Sequence, residues 1–280
     1  MPENTYDLVI VGSGPAGLMA SVYAARYKLK TLVLGKEFGS AAATAHKICN
    51  VPTYDEISGM EFMEKMEAQV RKLGVQIEYD PVTNIEGKQN HFVVATENAQ
   101  ILAAKKIIIA LGTERSKLNI PGEQEFLGKG ISYCATCDGA FFADETVAVI
   151  GGSNAALTAA LLLAERSRKV YIIYRKDHFF RAEPVWVELV EKTPKIKCIF
   201  NAQLAEIKGG TSVERAVLQS GDEIVLSGVF IEIGSVPANA LFKELKVEVD
   251  AKGYIVTDKS QKTNIPGIYA AGDITNNILK

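Results

Sequence analysis

The sequence predicts an α/β protein of two doubly wound, three-layer domains, the second inserted in the first. Three observations carry this expectation. The stretches Val9–Glu37 and Ala148–Lys176 align without a gap, so the chain repeats itself once. Each copy passes from a short apolar run through a glycine-rich turn into a helical pattern and a second apolar run, which is how a parallel strand pair with its crossover helix reads. The final stretch, Gly253–Lys280, then reads as a return strand pair that rejoins the first domain.

In the first copy, Tyr6–Val11 is the opening strand, Gly12-Ser13-Gly14-Pro15-Ala16-Gly17 the turn, Leu18–Tyr27 the helix and Thr31–Leu34 the next strand. The glycines have separate tasks. Gly12 makes the bend, Gly14 lets the backbone approach a pyrophosphate and Gly17 lets the helix pack on the strand, while the helix start offers its amides to phosphates. About twenty residues past Gly17, the spacing expected of a ribose-binding acid, stands Glu37. This is a Rossmann-like dinucleotide-binding unit.

A helix over Met60–Leu73 follows from the single apolar face of Phe62, Met63, Met66, Val70 and Leu73. Strands at Val75–Tyr79, Phe92–Thr96 and Lys106–Ala110 complete the first domain. The second copy gives a strand at Val147–Ile150, the turn Gly151-Gly152-Ser153-Asn154-Ala155-Ala156, a helix to Ser167 and a strand at Val170–Tyr174. Strands at Ile196–Phe200, Arg215–Gln219 and Val229–Ile233, with a turn at Ser220-Gly221-Asp222, finish that domain. Breaks at Asn119-Ile120-Pro121-Gly122 and Gly234–Asn239 place the domains at 1–116 with 243–280, and 117–242. Gly234 is counted with the nucleotide-binding residues.

With 280 residues, 48% of them hydrophobic and 23% charged, the chain can bury two cores. A formal net charge of −2 gives no electrostatic reason to expect nucleic acid or an anionic membrane as a partner. No signal-peptide pattern precedes the first strand, and no apolar run approaches the roughly 20 residues of a membrane span. A cytoplasmic location is expected. Cys49 and Cys198 stand alone in apolar surroundings and read as small buried hydrophobes.

The second turn departs from the first. Ser153 replaces the middle glycine, placing a side chain where a pyrophosphate should come close, and Ala156 replaces the last. Opposite Glu37 stands Lys176, preceded by Arg175 and followed by Arg181. An acid there would reject the extra 2′-phosphate of NADP, whereas this cationic cluster would clasp it. The competing reading is a solvated basic loop.

Cys134-Ala135-Thr136-Cys137-Asp138 lies just ahead of the second repeat. The spacing suits a reversible disulfide, and such motifs lower one thiol's pKa. A structural metal is the minor reading, because zinc wants about four ligands. His46, His91 and His178 show no ligand spacing, so no metal site is assigned. Asp138 can shuttle a proton to a leaving thiolate or cap a short helix. Two dinucleotide sites and one redox disulfide form a circuit of hydride donor, flavin, dithiol and external acceptor, with FAD at the first turn and the nicotinamide cofactor at the second.

With these motifs in place, the chain resembles the low-molecular-weight thioredoxin reductase family over essentially its whole length. The resemblance rests on Gly12–Gly17, CATCDG at Cys134–Gly139, Gly151–Ala156, RKDHFFRA at Arg175–Ala182 and TNIPGIYAAGD at Thr263–Asp273. It implies that Gly272 and Asp273 lie by the flavin ribityl chain, that Ala110-Leu111-Gly112 closes over FAD, and that Asn50 sits in a flavin-contacting loop. It also implies that Cys137 faces the flavin, Cys134 attacks the partner's disulfide and Asp138 is the acid/base. The implied enzyme is an NADPH-dependent homodimer acting on thioredoxin or a similar small dithiol protein, with an inserted domain that rotates to present its cysteines and its nicotinamide site in turn.

Ser153, Thr158 in place of an acid, and one extra residue before Arg181 depart from the family pattern and bear on the electron donor. The chain also stops seven residues after Asp273, and weaker FAD retention is expected from that. The rivals are the same flavin enzyme fed by a ferredoxin or another reductant, and a non-catalytic flavin- or nucleotide-binding sensor. A ferredoxin–NADP reductase would not need the cysteine pair, and a peroxiredoxin reductase would carry a further thioredoxin-like domain.

Overall fold

The computed structural model describes residues 5–238, 241 and 245–276. In chain order the elements are β1 (Thr5–Val11), α1 (Pro15–Arg26), β2 (Thr31–Gly35), α2 (Ser40–Ala43), α3 (Gly59–Lys72), β3 (Gln76–Tyr79), β4 (Val82–Gly87), β5 (Phe92–Thr96), β6 (Ile101–Ile109) and β7 (Thr113–Arg115). They continue with β8 (Ile131–Ser132), α4 (Ala135–Asp138), β9 (Thr146–Ile150), α5 (Asn154–Arg166), β10 (Lys169–Ile173), α6 (Pro184–Glu191), β11 (Ile196–Ile199), β12 (Leu204–Gly209), β13 (Val213–Leu218), β14 (Glu223–Val225), β15 (Gly228–Ile231), β16 (Ser235–Pro237) and β17 (Ile268–Ala270). Two compact units divide the chain between Glu114 and Arg115 and between Ser235 and Val236. The second division falls seven residues before the expected 242, because the return to the first unit begins at Val236, directly after Ser235.

In the first unit β3, β2, β1 and β6 run parallel in that order. The far edge of β6 is shared: its first half, Ile101–Ala104, pairs antiparallel with β5, and Ile107–Ile109 pair parallel with β17. The sequence reading placed only the second half of β6 in a strand and missed β4, whose polar residues hide its period. Alternation along β1 sends Val9 and Val11 into one apolar cluster and Leu8 and Ile10 into another, where they meet Leu18 of α1 and Met63 and Val70 of α3. Both faces being covered explains the unbroken apolar run. Pro15 opens α1 at the position where its missing N–H costs nothing, and the Ser58 side chain caps α3 by accepting from Glu61 N at 3.2 Å.

The second unit repeats the plan, with a fully parallel sheet in the order β11-β10-β9-β15-β8. Val147 and Val149 face Leu157, Ala160 and Leu163 of α5, while Ala148 and Ile150 face Leu204, Ile207 and Val213 of the antiparallel β12-β13-β14 sheet. Helix, parallel sheet and small antiparallel sheet are the three layers. Gly221, with φ +91°, makes the β13–β14 turn. Helix α6 and strand β12 were not anticipated. Conversely, the stretch after Gly253 is not a strand pair: among the described residues it holds β17 and isolated bridges at Val249–Ile255, Ile255–Thr275 and Lys262–Tyr269. No helix among the described residues is long and apolar enough to cross a membrane.

Candidate functional site

At the carboxyl ends of β1 and β6, where strand order reverses, ligands of open α/β sheets bind in the crevice. A Cβ on Gly12 would lie 2.2 Å from Ala110 O, and one on Gly17 would lie 2.0 Å from Gly12 O, so both glycines are imposed by backbone contact. The resulting cavity, about 370 Å³, is lined by Gly14-Pro15-Ala16, Ser40–Ala42, Ala110–Thr113 and Gly272-Asp273. The α1 amides open onto it without a side-chain cap or an acid in the first turn, which suits a pyrophosphate. Asp273 adds a carboxylate, a hydrogen-bond acceptor by chemistry, to the lining. Gly272, at φ +78°, approaches α1 so closely that a Cβ would lie 2.7 Å from that of Ala16. This donor and acceptor set, cradled by glycines, fits FAD.

Three expected residues of this site are placed otherwise. The Ser13 side chain is buried and donates to Glu37 O at 3.1 Å, filling the space over Gly35 and leaving only its main chain for a ligand. Glu37 and Asn50 are exposed and do not line the cavity. Asn50 belongs to a loop closed by reciprocal Ile48–Ile57 hydrogen bonds. Sequence reasoning missed Ser40, whose small-residue helix carries no motif.

In the second unit the corresponding crevice, about 420 Å³, lies at the ends of β9, β10 and β15. Gly151 repeats Gly12, since its Cβ would meet Glu232 O at 2.1 Å; Glu232-Ile233-Gly234 therefore occupies the place of Ala110-Leu111-Gly112. Gly151, Gly152, Ser153, Gly234, Arg175 and Arg181 all line it. Tyr174 covers Gly152, stacks on Phe179 with centroids 5.9 Å apart, and Phe179 in turn meets Phe200 at 4.9 Å. Phe179 packs inward, and Arg181 lines the cavity.

Asn154, Ala155 and Lys176 do not line it. The Asn154 amide is held by Glu183, donating to Oε1 at 2.9 Å and accepting from its N–H at 2.7 Å. Ala155 is exposed on the first turn of α5, and Lys176 is exposed beyond β10. Thr158 donates to Asn154 O at 2.8 Å, and the first turn of α5 has no acidic residue of its own. Glu232, a lining residue no motif announced, is buried and pairs with Arg115 at 2.6 Å. Burial pushes its pKa up, and the guanidinium partly opposes that.

Cys134 and Cys137 form a disulfide, their Cα atoms 5.3 Å apart. Cys134 caps α4, its Sγ accepting from Cys137 N at 3.1 Å, a donor that would stabilise a thiolate on that sulfur. Cys134 is half-buried and Cys137 exposed. Asp138 does not cap α4: its carboxylate accepts from the buried Ser132 hydroxyl at 2.6 Å. Behind the motif Phe142 packs edge-on against Phe230, centroids 5.3 Å apart. Of the remaining cysteines, Cys198 is half-buried with its pKa raised by burial, whereas Cys49 is exposed, contrary to expectation.

Two glycine crevices and a disulfide spanning two intervening residues define a flavin- and nucleotide-linked disulfide oxidoreductase. The chain belongs to the pyridine nucleotide-disulphide oxidoreductase family, whose model matches residues 6–280. It is 41% identical over 279 residues to a thioredoxin reductase of Treponema pallidum, covering 97% of this chain and 90% of the relative. The thioredoxin reductase structure of Lactococcus lactis superposes with a TM-score of 0.93 at 38% identity, covering 97% of this chain and 91% of that one. A ferredoxin-flavin thioredoxin reductase of Clostridium acetobutylicum is 33% identical with a TM-score of 0.50, covering 98% and 90%.

Proposed function

We propose that the protein is an NADPH-dependent, FAD-containing reductase of thioredoxin or a thioredoxin-like small protein, acting through Cys134 and Cys137. The observation that carries this reading is the Cys134–Cys137 disulfide on the same unit as a glycine crevice lined by Arg175 and Arg181. FAD, held by Gly12, Gly14-Pro15-Ala16, Ala110, Gly112, Gly272 and Asp273, supplies the conversion of a hydride into electron pairs usable by sulfur. Arg175 and Arg181 hold the 2′-phosphate of the donor, and the main chain of Gly151–Ser153 receives its pyrophosphate.

Two electrons and two protons convert the Cys134–Cys137 disulfide to a dithiol. The Cys134 thiolate then attacks the partner's disulfide, forming a mixed disulfide and releasing one partner thiolate. Asp138 takes the proton that Cys134 loses as its thiolate forms and delivers it to this partner thiolate. The Cys137 thiolate attacks Cys134 Sγ, restores the internal disulfide and frees the second partner thiol. Cys134, whose sulfur already accepts an amide hydrogen bond, suits the attacking role, and exposed Cys137 suits exchange with the flavin.

Anaerobic addition of NADPH should bleach the flavin absorption within the mixing time, and thioredoxin should restore it. Absence of bleaching refutes the donor assignment. Ser153, a side chain in the pyrophosphate turn, favours a second reading in which a ferredoxin is the reductant; bleaching by reduced ferredoxin but not by NADPH would establish it. Homodimerisation fits the exposed Met19 and Tyr23 on one face of α1 with Tyr27 at its C-terminal cap, and a cytoplasmic location fits a thiol-based cycle. Sedimentation of the Tyr23→Glu chain as a monomer is the expected result.

A further inference from the structure

We propose that Ser132 is the positioning residue for the acid/base Asp138, a role that rests on the disulfide-reductase reading above. Ser132 ends β8, where its main chain is paired with Phe230 of β15, and its side chain is only 4% exposed. It is therefore a rigid point beneath a motif whose own helix, α4, is a single turn. Its oxygen lies between the two parts of the motif, 2.6 Å from Asp138 Oδ2 and 2.9 Å from Cys134 N.

A serine hydroxyl has one hydrogen to give. Two acceptors are in reach, Asp138 Oδ2 at 2.6 Å and Cys134 O at 3.2 Å, and the shorter, charge-assisted bond takes it. The lone pairs then accept the Cys134 amide. One hydroxyl thus ties the carboxylate to the backbone of the cysteine it serves. An acid must lie within hydrogen-bond reach of its proton's destination, and displacement of about 1 Å can cost on the order of 100-fold. Among the described residues no other hydrogen bond fixes the Asp138 carboxylate: its N–H closes the turn on Cys134 O at 3.1 Å, which fixes the main chain only.

The test is a double-mutant cycle on thioredoxin-dependent NADPH oxidation by the FAD-loaded enzyme. Ser132→Ala should lower kcat by about 10- to 100-fold with KM for thioredoxin within twofold. Ser132→Thr, which keeps the hydroxyl, should recover most of it. In an Asp138→Asn background, where there is no acid left to place, Ser132→Ala should cost less than twofold more. An unchanged kcat in Ser132→Ala, or the same fold-loss in both backgrounds, overturns the proposal, the latter marking a purely structural serine. A wild-type enzyme inert towards thioredoxin would instead refute the parent reading. If the alanine chain does not accumulate folded, Ser132→Gly removes the same hydroxyl and is read by the same cycle.

Discussion

Replacing Gly12 by alanine should uncouple the flavin site from the rest of the molecule, and its size follows from two separate costs. Gly12 has φ +122°, a region almost closed to L side chains, which adds about 1–3 kcal/mol. The new methyl would also lie 2.2 Å from Ala110 O and 2.5 Å from its carbon, and neither can turn away because both are main chain at the end of β6. Relief requires β1 and β6 to part by about 1 Å, an overpacking cost of about 1–3 kcal/mol. Together these reach roughly 2–6 kcal/mol, or a melting temperature lower by about 5–20 °C. Gly74→Ala, away from the cavity lining, is the matched control. Its φ is +83° and nothing lies within 4 Å of the added methyl, so only the left-handed cost of about 1–2 kcal/mol applies. Thermal melts and FAD titration of the apoprotein measure both, with Gly12→Ala expected to bind FAD at least tenfold more weakly than Gly74→Ala. Equal affinities and melts within 2 °C of each other, on the scale of about 2–4 °C per kcal/mol, would refute the reasoning.

Arg175→Ala with Arg181→Ala should raise KM for NADPH by about 10- to 100-fold while leaving NADH almost unchanged, as steady-state kinetics with both donors will report. Glu232 has a raised pKa in the folded protein, so the folded state holds its proton more tightly and stability falls as pH rises through the window above 4.5. Denaturation at several pH values should show Glu232→Gln losing this slope, and Arg115→Met destabilising by about 1–3 kcal/mol near neutral pH, less than for a fully enclosed pair because Arg115 is partly exposed. Alkylation of the oxidised protein followed by mass spectrometry should label Cys49 rapidly and Cys198 slowly, since Cys198 is shielded and its pKa raised by burial.

The repeat was legible because its physics is local. Gly12 and Gly151 answer to backbone atoms that any nucleotide-binding crossover places nearby, so the glycines and the apolar runs beside them announce themselves. Residues that depend on tertiary partners did not. Asn154 looked like part of the phosphate turn until Glu183, on the approach to α6, claimed both ends of its amide. Lys176 shared a charge sign with Arg175 but not its direction. Glu232 directly follows β15 and Ser132 ends the two-residue β8; neither belongs to a motif, and only the fold reveals that one lines a crevice and the other meets Asp138. Strand β4, with Thr83, Asn84 and Glu86, owes its existence to pairing with β5 rather than to its own pattern.

The flavin cavity draws Gly14 and Pro15 from near the beginning of the chain and Gly272 and Asp273 from near its end, with residues 115–235 an uninterrupted unit in between. During synthesis that intervening unit leaves the ribosome whole while its host still lacks β17, the strand that lies against Ile107–Ile109. Cofactor loading therefore waits for β17 and Gly272-Asp273 to be made, and nascent chains arrested before them should acquire a nucleotide-binding, cysteine-bearing half without turning yellow.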